Sequence, residues 1–306
     1  MRVGPAGFKP KRRWGQNFLV DPGALSAIAA AFRPSSGDRV LEIGPGDGAL
    51  TRRIAPRVAS LLAVEVDPEL AAALRNEFEP EGGADGPGAG PTGPAPRVRV
   101  VEGDVLSFET DRLLADAGAA PGHPVRLLGN LPYNIATAVI LRYLMRPELV
   151  TDLMVMVQRE VAERILAPTH TKEYGSLSVL CRTFARVERI RRLRPGSFRP
   201  TPKVHSEVIR LALRDPGGAA GADPDHYARF VQDCFGQRRK TFLNNLARVL
   251  ASEGAGAHER ARALLEAAAI APGGRPEEVP PEGFERLYAR LKSPPEKRAG
   301  RSPAPV

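Results

Sequence analysis

The sequence predicts an α/β protein with a doubly wound sheet, followed by a small all-α domain at the C-terminal end. Three observations support this fold class. Short apolar runs alternate with helical patterns in the first half of the chain, a glycine-rich turn follows the first of these runs, and the C-terminal part shows helical periodicity alone. With 306 residues, the chain is long enough to form one large or two modest domains.

Five apolar runs of strand length alternate with helical patterns along the first half of the chain. Strands are predicted at residues 39–43, 61–66, 98–101, 125–128 and 153–157. Helices are predicted between them, at residues 24–32, 50–55, 68–78 and 136–144. Two further strands are predicted at residues 184–193 and 207–213.

Changes in composition predict two domains and a tail. The first domain is expected at residues 1–216, with a flexible insertion at 80–96, where glycine, proline and alanine dominate and no packed element can form. A linker is expected at 216–225. A helical domain is expected at 217–292, and we expect residues 293–306 to be a disordered tail.

The charge balance indicates a polyanionic partner. Lysine and arginine number 44 against 35 acidic residues, which gives a net charge of +9 and an isoelectric point of about 10.0. Any one basic cluster could be a solvated surface, but three in one chain suggest contacts with phosphates. The three clusters are Lys9, Lys11, Arg12 and Arg13; Arg186, Arg189, Arg191, Arg192, Arg194 and Arg199; and Arg238, Arg239 and Lys240.

Composition also limits where the protein functions. No apolar run reaches membrane-spanning length, so no membrane partner is expected, and residues 1–13 are not followed by the apolar stretch of a secretory signal. The two cysteines, Cys181 and Cys234, are too few and too far apart for a zinc cluster or a disulfide framework. A reducing, cytoplasmic setting is therefore expected.

The tetrapeptide Asn130-Leu131-Pro132-Tyr133 closes one of the predicted buried strands and has the groups that hold a planar amine. The amide oxygen of Asn130 can accept a hydrogen bond from an exocyclic N–H. Pro132 has no N–H and restricts Leu131 to an extended conformation, so nearby carbonyls can point outward. Tyr133 offers a face on which a base can stack. The alternative is an ordinary strand-to-helix turn, with Asn130 as a cap and Tyr133 in the core.

Polar residues also follow the three preceding strands. Residues 44–49 formally match the G-x-G-x-x-G/A pattern of dinucleotide sites, so an NAD-dependent dehydrogenase is one alternative. Glu65 ends the second strand, where a carboxylate can bind ribose hydroxyls, and Asp104 follows the third, where it would suit the amine of adenine. Because ligands bind at the carboxyl ends of parallel strands, Gly44, Glu65, Asp104 and Asn130 are expected to share one cleft.

Several segments together resemble a known family. They are residues 15–19 (GQNFL), 42–46 (EIGPG), Glu65, Asp104, 130–133 (NLPY), 198–204 (FRPTPKV) and 237–241 (QRRKT). This ordered set resembles the rRNA adenine N6-dimethyltransferases, most nearly the bacterial branch that modifies small-subunit (16S) rRNA. The resemblance extends over about residues 9–290. It implies a Rossmann-like class I methyltransferase fold with a mainly parallel seven-stranded sheet, and S-adenosyl-L-methionine as the cofactor.

The resemblance also implies roles for individual residues. Asn130 and a backbone carbonyl near Leu131 or Pro132 would accept the two hydrogens of adenine N6. Tyr133 would stack on one face of the base, and Phe198 is the candidate for the other face. No metal and no dedicated general base are expected, and His205 and His226 are interpreted as surface or structural residues. The implied cofactor contacts are Asn17, Leu19, Gly44, Glu65, Asp104 and Asn130.

The function implied is dimethylation of two adjacent adenosines in a loop near the 3′ end of 16S rRNA. The expected partner is this rRNA within a 30S assembly intermediate, and the protein is expected to be monomeric. Two alternatives remain: a 23S rRNA methyltransferase that confers macrolide resistance, and a non-catalytic RNA-binding assembly factor. Leu131 and residues 237–241 favour the small-subunit branch. The chain departs from the family pattern at 80–96, at residues 12–14 and at Ala136, where serine is usual.

Overall fold

The computed structural model describes residues 8–11, 14–79, 97–237, 239–251 and 256–293. Their contacts form two compact units. The first contains the described residues of Met1–Pro168 and Leu180–Asp215, and the second contains those of Thr169–Val179 and Pro216–Val306. The predicted insertion at 80–96 and all but the first residue of the predicted tail lie outside the described residues, as do Arg12, Arg13 and Arg238 of the basic clusters.

A mainly parallel seven-stranded sheet forms the centre of the first unit, as predicted. In sheet order the strands are β4 (Arg97–Glu102), β3 (Ser60–Glu65), β2 (Arg39–Ile43), β5 (Val125–Asn130), β6 (Val150–Gln158), β9 (Ser206–Leu213) and β7 (Ala185–Leu193). The first five are mutually parallel, and β9 runs antiparallel to both of its neighbours. A separate two-stranded ribbon pairs β1 (Phe18–Leu19) with β8 (Phe198–Arg199).

Helices follow the strands in the alternating order that the sequence predicts. They are α1 (Pro22–Phe32), α2 (Thr51–Ile54), α3 (Pro68–Phe78), α4 (Thr110–Asp116), α5 (Ala136–Leu144), α6 (Arg159–Leu166) and α7 (Ser176–Phe184). Helices α4, α6 and α7 were not predicted from the sequence. The strand predicted from residue 184 begins at Ala185 instead, because Phe184 is the last, fully buried residue of α7.

The second unit is helical. Its elements after residue 216 are α8 (Gly218–Ala222), α9 (Pro224–Cys234), α10 (Phe242–Leu250), α11 (Ala257–Ala267) and α12 (Pro281–Lys292). The linker prediction for 216–225 is wrong over α8, whose Ala220 is buried. Aromatic rings fill the core, with the Tyr288 ring centroid 5.1 Å from that of Tyr227 and 5.3 Å from that of Phe230. Within the described ranges, no helix has both the length and the apolar character required to cross a bilayer.

Residues 169–179 belong to this helical unit although they precede strands β7, β8 and β9 in the chain. The hydroxyl of Tyr174 donates to the carbonyl of Val279 at 2.9 Å, and the N–H of His170 donates to the carbonyl of Glu277 at 3.0 Å. A single boundary at residue 216 does not anticipate this contribution. The sequence gives no sign of it because the segment is short and its partners are distant in the chain.

An ion-pair network holds the amino end of the sheet. The Arg126 guanidinium on β5 binds Asp152 on β6 at 2.7 Å and Asp38 at 2.7 Å, and it donates to the Phe32 carbonyl at the end of α1. Arg210 on β9 lies 2.8 Å from the same Asp152 carboxylate. Because the Asp152 side chain is only 3% exposed, its charge depends on these two arginines.

We expect Asp152→Ala to destabilise the first unit by about 3 kcal/mol, because it leaves two partly buried arginines without their shared carboxylate. Urea unfolding followed by circular dichroism measures this loss. The matched control is Asp111→Ala, which removes an ion pair to Arg146 from a carboxylate that is 58% exposed. The control should change the free energy of unfolding by about 1 kcal/mol or less. Equal effects of the two substitutions would show that the network contributes no more than a surface pair.

Candidate active site

Two adjacent cavities lie at the carboxyl ends of the parallel strands and share Trp14, Gly44, Val66 and Pro132 in their walls. The structure brings all six predicted cofactor residues to these cavities. The first cavity is lined by Asn17, Leu19, Gly44, Glu65 and Asn130, and the second is lined by Gly44 and Asp104. The backbone register explains this grouping, because Ile43 of β2 lies between Val64 of β3 and Gly129 of β5.

A glycine turn after β2 forms the floor of the first cavity. Gly44, Gly46 and Gly48 have φ angles of +65°, +60° and +79°, a region that residues with a side chain rarely adopt. A Cβ atom at Gly46 would lie 3.0 Å from the ring of Phe18. The turn therefore has a specific need for glycine, and the backbone lies open to a ligand in the cavity.

Glu65 is held rigidly at the end of β3. One of its carboxylate oxygens accepts the N–H of Gly46 at 3.0 Å, and the other accepts the N–H of Asp67 at 2.9 Å. Burial raises the pKa of Glu65, and these two backbone hydrogen bonds act in the opposite direction. A carboxylate oxygen has more than one lone pair, so both oxygens retain the capacity to accept hydroxyl groups.

The Asn130 carboxamide has a defined orientation. Its Nδ2 donates to the carbonyl of Asn17 at 2.9 Å, so its Oδ1 is the atom left for a ligand. No donor in the described part of the chain approaches Oδ1 or the carbonyl of Leu131 within hydrogen-bonding distance. The carbonyl of Pro132 is already occupied, because it accepts the N–H groups of Ile135 and Ala136, both at 3.1 Å.

The two aromatic residues predicted to hold a base have different positions. Tyr133 lines the first cavity, and its hydroxyl forms a 3.0 Å hydrogen bond with Oγ of Ser206, a buried residue at the start of β9. Phe198 is 1% exposed, packs in the hydrophobic core and lines neither cavity. The structure does not bring Phe198 to the site, so its role as a second platform stays a prediction that requires the ring to move.

Glu42 also lines the first cavity, a position for which the sequence predicts no role. It is 2% exposed, and the Thr51 hydroxyl donates to its carboxylate at 2.8 Å. Burial raises the pKa of Glu42 to about 7, and the neighbouring charges of Glu65 and Asp47 act in the same direction. The sequence shows that Glu42 belongs to the glycine-rich segment. Its burial follows from the central position of β2 in the sheet, which the sequence alone does not show.

Comparison with known proteins identifies the family. A sequence model described as ribosomal RNA adenine dimethylase matches residues 7–271. The chain belongs to this family. The ribosomal RNA small subunit methyltransferase A of Acidithiobacillus ferrooxidans is 38% identical over 279 residues, which covers 91% of this chain and 93% of that protein. The protein of the same description from Syntrophotalea carbinolica is 39% identical, with coverage of 91% and 96%.

Solved structures agree with this membership. The crystal structure of a dimethyladenosine transferase from Plasmodium falciparum has a TM-score of 0.68 at 23% identity, covering 88% of this chain and 95% of that one, and shows the shared fold. The 23S rRNA methyltransferase ErmE has a TM-score of 0.61 at 27% identity, with coverage of 90% and 100%. The fold is therefore the class I methyltransferase fold that the resemblance implied, and the dehydrogenase alternative is wrong.

Family membership implies methylation that depends on S-adenosylmethionine, and the residues of the cavities fit such a nucleoside. Gly44 lines both cavities, and a Cβ atom there would lie 3.5 Å from the carbonyl oxygen of Asn130 and would occupy part of the space beside the backbone. Glu65 and Asp104 are acceptors suited to ribose hydroxyls and to an adenine amine, and the second cavity beside Asp104 has the apolar walls Ile43, Val64 and Ile135.

We expect Glu42→Gln to make the protein relatively more stable as the pH rises. Because the folded protein raises the pKa of Glu42 from 4.5 to about 7, the wild type gains stability from this group below pH 4.5 and loses that stability as the pH rises through 7. The difference in free energy of unfolding between variant and wild type should shift by about 3 kcal/mol between pH 4 and pH 8.

Urea unfolding at several pH values measures this difference, and the exposed Glu148→Gln substitution is the control. Glutamine at position 42 can still accept the Thr51 hydroxyl, so the packing stays comparable. A difference that stays constant from pH 4 to pH 8 would contradict the assignment of a buried, proton-binding carboxyl to Glu42.

Proposed function

We propose that the protein dimethylates N6 of two adjacent adenosines in a loop near the 3′ end of 16S rRNA, using S-adenosyl-L-methionine, during small-subunit biogenesis in the cytoplasm. The observation that carries the proposal is the uncommitted Oδ1 of Asn130 beside a cleft that fits a nucleoside. The small-subunit rRNA methyltransferases that match more than nine-tenths of the chain support 16S rRNA as the substrate.

Asn130 and Leu131 supply the groups that activate the amine. Adenine N6 is a weak nucleophile because its lone pair is delocalised into the ring. Hydrogen bonds from its two N–H groups to Asn130 Oδ1 and to the Leu131 carbonyl would localise that lone pair and orient it for attack. The Pro132 carbonyl, the other candidate from the sequence, is committed to the first turn of α5.

Tyr133 is the platform for the base. Its hydrogen bond to buried Ser206 fixes the tilt of the ring, so a base can stack on a surface that is already oriented. The target adenine has to leave its own stack in the RNA to reach this ring. We include Phe198 as the second platform only for a state in which its ring leaves the core.

The cofactor would be held by the residues of the two cavities. We assign the ribose hydroxyls to Glu65, the adenine amine to Asp104, and the remaining contacts to Asn17, Leu19 and Gly44. When bound, S-adenosylmethionine supplies an electrophilic methyl group. Neither cavity has a histidine among its described lining residues, and N6 becomes acidic as it is alkylated, so its proton can pass to water without a dedicated base.

The remaining proposals concern the RNA partner. Four of the exposed arginines on and just after edge strand β7 would contact phosphates of 16S rRNA within a 30S assembly intermediate, where strong salt dependence is expected. We propose that the helical domain at 217–292 binds the surrounding RNA by its shape. We propose that the active form is a monomer. The four arginines are Arg186, Arg191, Arg192 and Arg194.

We expect transfer of labelled methyl groups to unmodified 30S particles, with N6,N6-dimethyladenosine as the product by mass spectrometry. Asn130→Ala should reduce the rate by about 10²–10³-fold, because it removes an acceptor aimed at the reacting amine. Binding to 30S particles should stay within a few-fold of the wild type. Turnover by this variant near the wild-type rate would refute the role of Asn130, and absence of transfer by the wild type would favour the non-catalytic factor.

The similarity to ErmE supports a second candidate, methylation of 23S rRNA. A sensitive bacterial host that expresses the protein distinguishes the two. Unchanged macrolide sensitivity agrees with the 16S proposal, whereas acquired resistance together with label in 23S rRNA would replace it.

Substitutions of Tyr133 separate its ring from its hydroxyl. Tyr133→Ala should weaken kcat/KM for the RNA by about 10–100-fold, because stacking contributes about 1–3 kcal/mol per base. Tyr133→Phe keeps the ring and loses only the anchor to Ser206, so its loss should be a few-fold. Steady-state kinetics with 30S particles measures both values. Equal losses would assign the effect to the hydroxyl instead of the stacking surface.

A further inference from the structure

The described residues 8–11 and 14–19 form an N-terminal arm beside the first cavity. Its far end is paired with β8, with Phe18 opposite Arg199 and Leu19 opposite Phe198. Its N-terminal part is attached to Asp67, the N-cap residue of helix α3. Between these two attachments lies Asn17, whose carbonyl accepts the Asn130 amide. The arm is therefore fixed on both sides of the contact that orients Asn130.

Asp67 is the centre of the near attachment. Its side chain is fully buried, and its Oδ2 accepts a hydrogen bond from Nε2 of Gln16 at 2.8 Å. Its Oδ1 accepts the Lys11 ammonium at 2.8 Å and the N–H of Glu69 at 3.1 Å, the latter as the N-cap of α3. The hydrogen bond to Asp67 is the main cause that raises the pKa of Lys11, with Glu69 acting in the same direction.

Gln16 has its orientation fixed from both ends of its carboxamide. Its Oε1 accepts the backbone N–H of Lys11 at 2.7 Å, and its Nε2 donates to Asp67. Turning the amide over would break both hydrogen bonds and place Oε1 against a carboxylate oxygen. Gln16 thus makes one contact within the arm, to Lys11, and one contact to Asp67 outside it. It immediately precedes Asn17.

The orientation of Asn130 depends on the arm because the two ends of a carboxamide have opposite hydrogen-bonding roles. The Asn17 carbonyl selects the rotamer in which Nδ2 faces the arm and Oδ1 remains for the amine. In the reversed rotamer, Nδ2 would meet the N–H groups of adenine, donor against donor. Loss of the arm contact would therefore lower the rate of the reaction even with both ligands bound.

We propose that Gln16 and Asp67 are positioning residues for methyl transfer: they hold the arm so that Asn17 keeps the Asn130 oxygen aimed at the target amine. This inference rests on the proposed function for its effect on rate. Asp67 is two residues from Glu65, and its backbone N–H donates to the Glu65 carboxylate at 2.9 Å. Three hydrogen bonds, together with the covalent links within Asp67 and from Gln16 to Asn17, therefore connect the proposed ribose carboxylate to the proposed amine acceptor.

A reciprocal exchange of side chains tests the contact between Gln16 and Asp67. Asp67→Asn preserves the N-cap of α3, because asparagine and aspartate cap helices about equally, but it presents an N–H₂ group to the N–H₂ of Gln16. Gln16→Glu places one carboxylate against another. The double variant restores a hydrogen bond with donor and acceptor exchanged, and it keeps the net charge of the wild type.

We expect single-turnover methyl transfer, at saturating cofactor and 30S particles, to fall about tenfold in each single variant. The double variant should return to within about threefold of the wild-type rate. Gln16→Ala gives a third single variant without a repulsive contact. Asp111→Asn is the matched control, because it makes the same chemical change in a surface ion pair remote in sequence from the arm. Thermal unfolding verifies that each variant is folded.

The Asn130 side-chain amide provides a readout that does not depend on activity. Its ¹⁵N–¹H₂ resonances, assigned by their loss in Asn130→Ala, should move in Asp67→Asn and Gln16→Glu and return in the double variant. Three results would each overturn the inference: single variants that transfer methyl groups as fast as the wild type, a double variant as slow as the single variants, or an Asn130 resonance that does not move. If the wild type methylates no 30S particle, the proposed function fails, and the resonances alone decide whether Gln16 and Asp67 position Asn130.

Discussion

The parallel pairing of β3, β2 and β5 is the constraint on which the site depends. These strands end at the same edge, so Glu65, the glycine turn and Asn130 meet there although long stretches of chain separate them. A shift of one residue in either register would turn the side chains of a whole strand to the opposite face of the sheet. The seven-stranded order and its covering helices serve to hold this alignment.

Charged groups are compensated differently at the amino and carboxyl ends of the parallel strands. At the amino end of the strands, Arg126 and Arg210 neutralise the buried Asp152, so the charges there are paired within the fold. At the carboxyl end of the strands, the buried acids Glu42 and Glu65 form no ion pair with a lysine or arginine in the described part of the chain, and their pKa values are raised. The ion pairs that stabilise the fold therefore lie at one end of the strands, and the titratable groups able to respond to a ligand lie at the other.

Each buried acid near the cleft has its own form of compensation. Glu42 binds a proton, with its pKa raised to about 7. Glu65 accepts hydrogen bonds from backbone N–H groups, and Asp67 is bound by Lys11 and Gln16 of the N-terminal arm. The last case connects electrostatics to the orientation of Asn130, the proposed amine acceptor. The arm that neutralises Asp67 is the same arm whose Asn17 carbonyl orients Asn130.

The sequence by itself determined the fold class, the family and the residues that gather at the cleft. Strand periodicity and polar residues at strand ends are local signals, and both survive in the sequence because each strand carries its own pattern. It also singled out Asn130 as the candidate acceptor, since a carboxamide at the end of a buried strand is visible in the chain. It could not choose between the Leu131 and Pro132 carbonyls, because that depends on where helix α5 begins.

Only the tertiary structure decided which atoms remain available. It placed Phe198 in the core because β8 pairs with β1, and it joined residues 169–179 to the helical unit through contacts with Val279 and Glu277. It also revealed the attachment of Gln16 to Asp67. These outcomes depend on pairs of groups that are distant in the chain, and no local pattern encodes the distance between two such groups. The identity of the site is local information, whereas its geometry is a property of the packed fold.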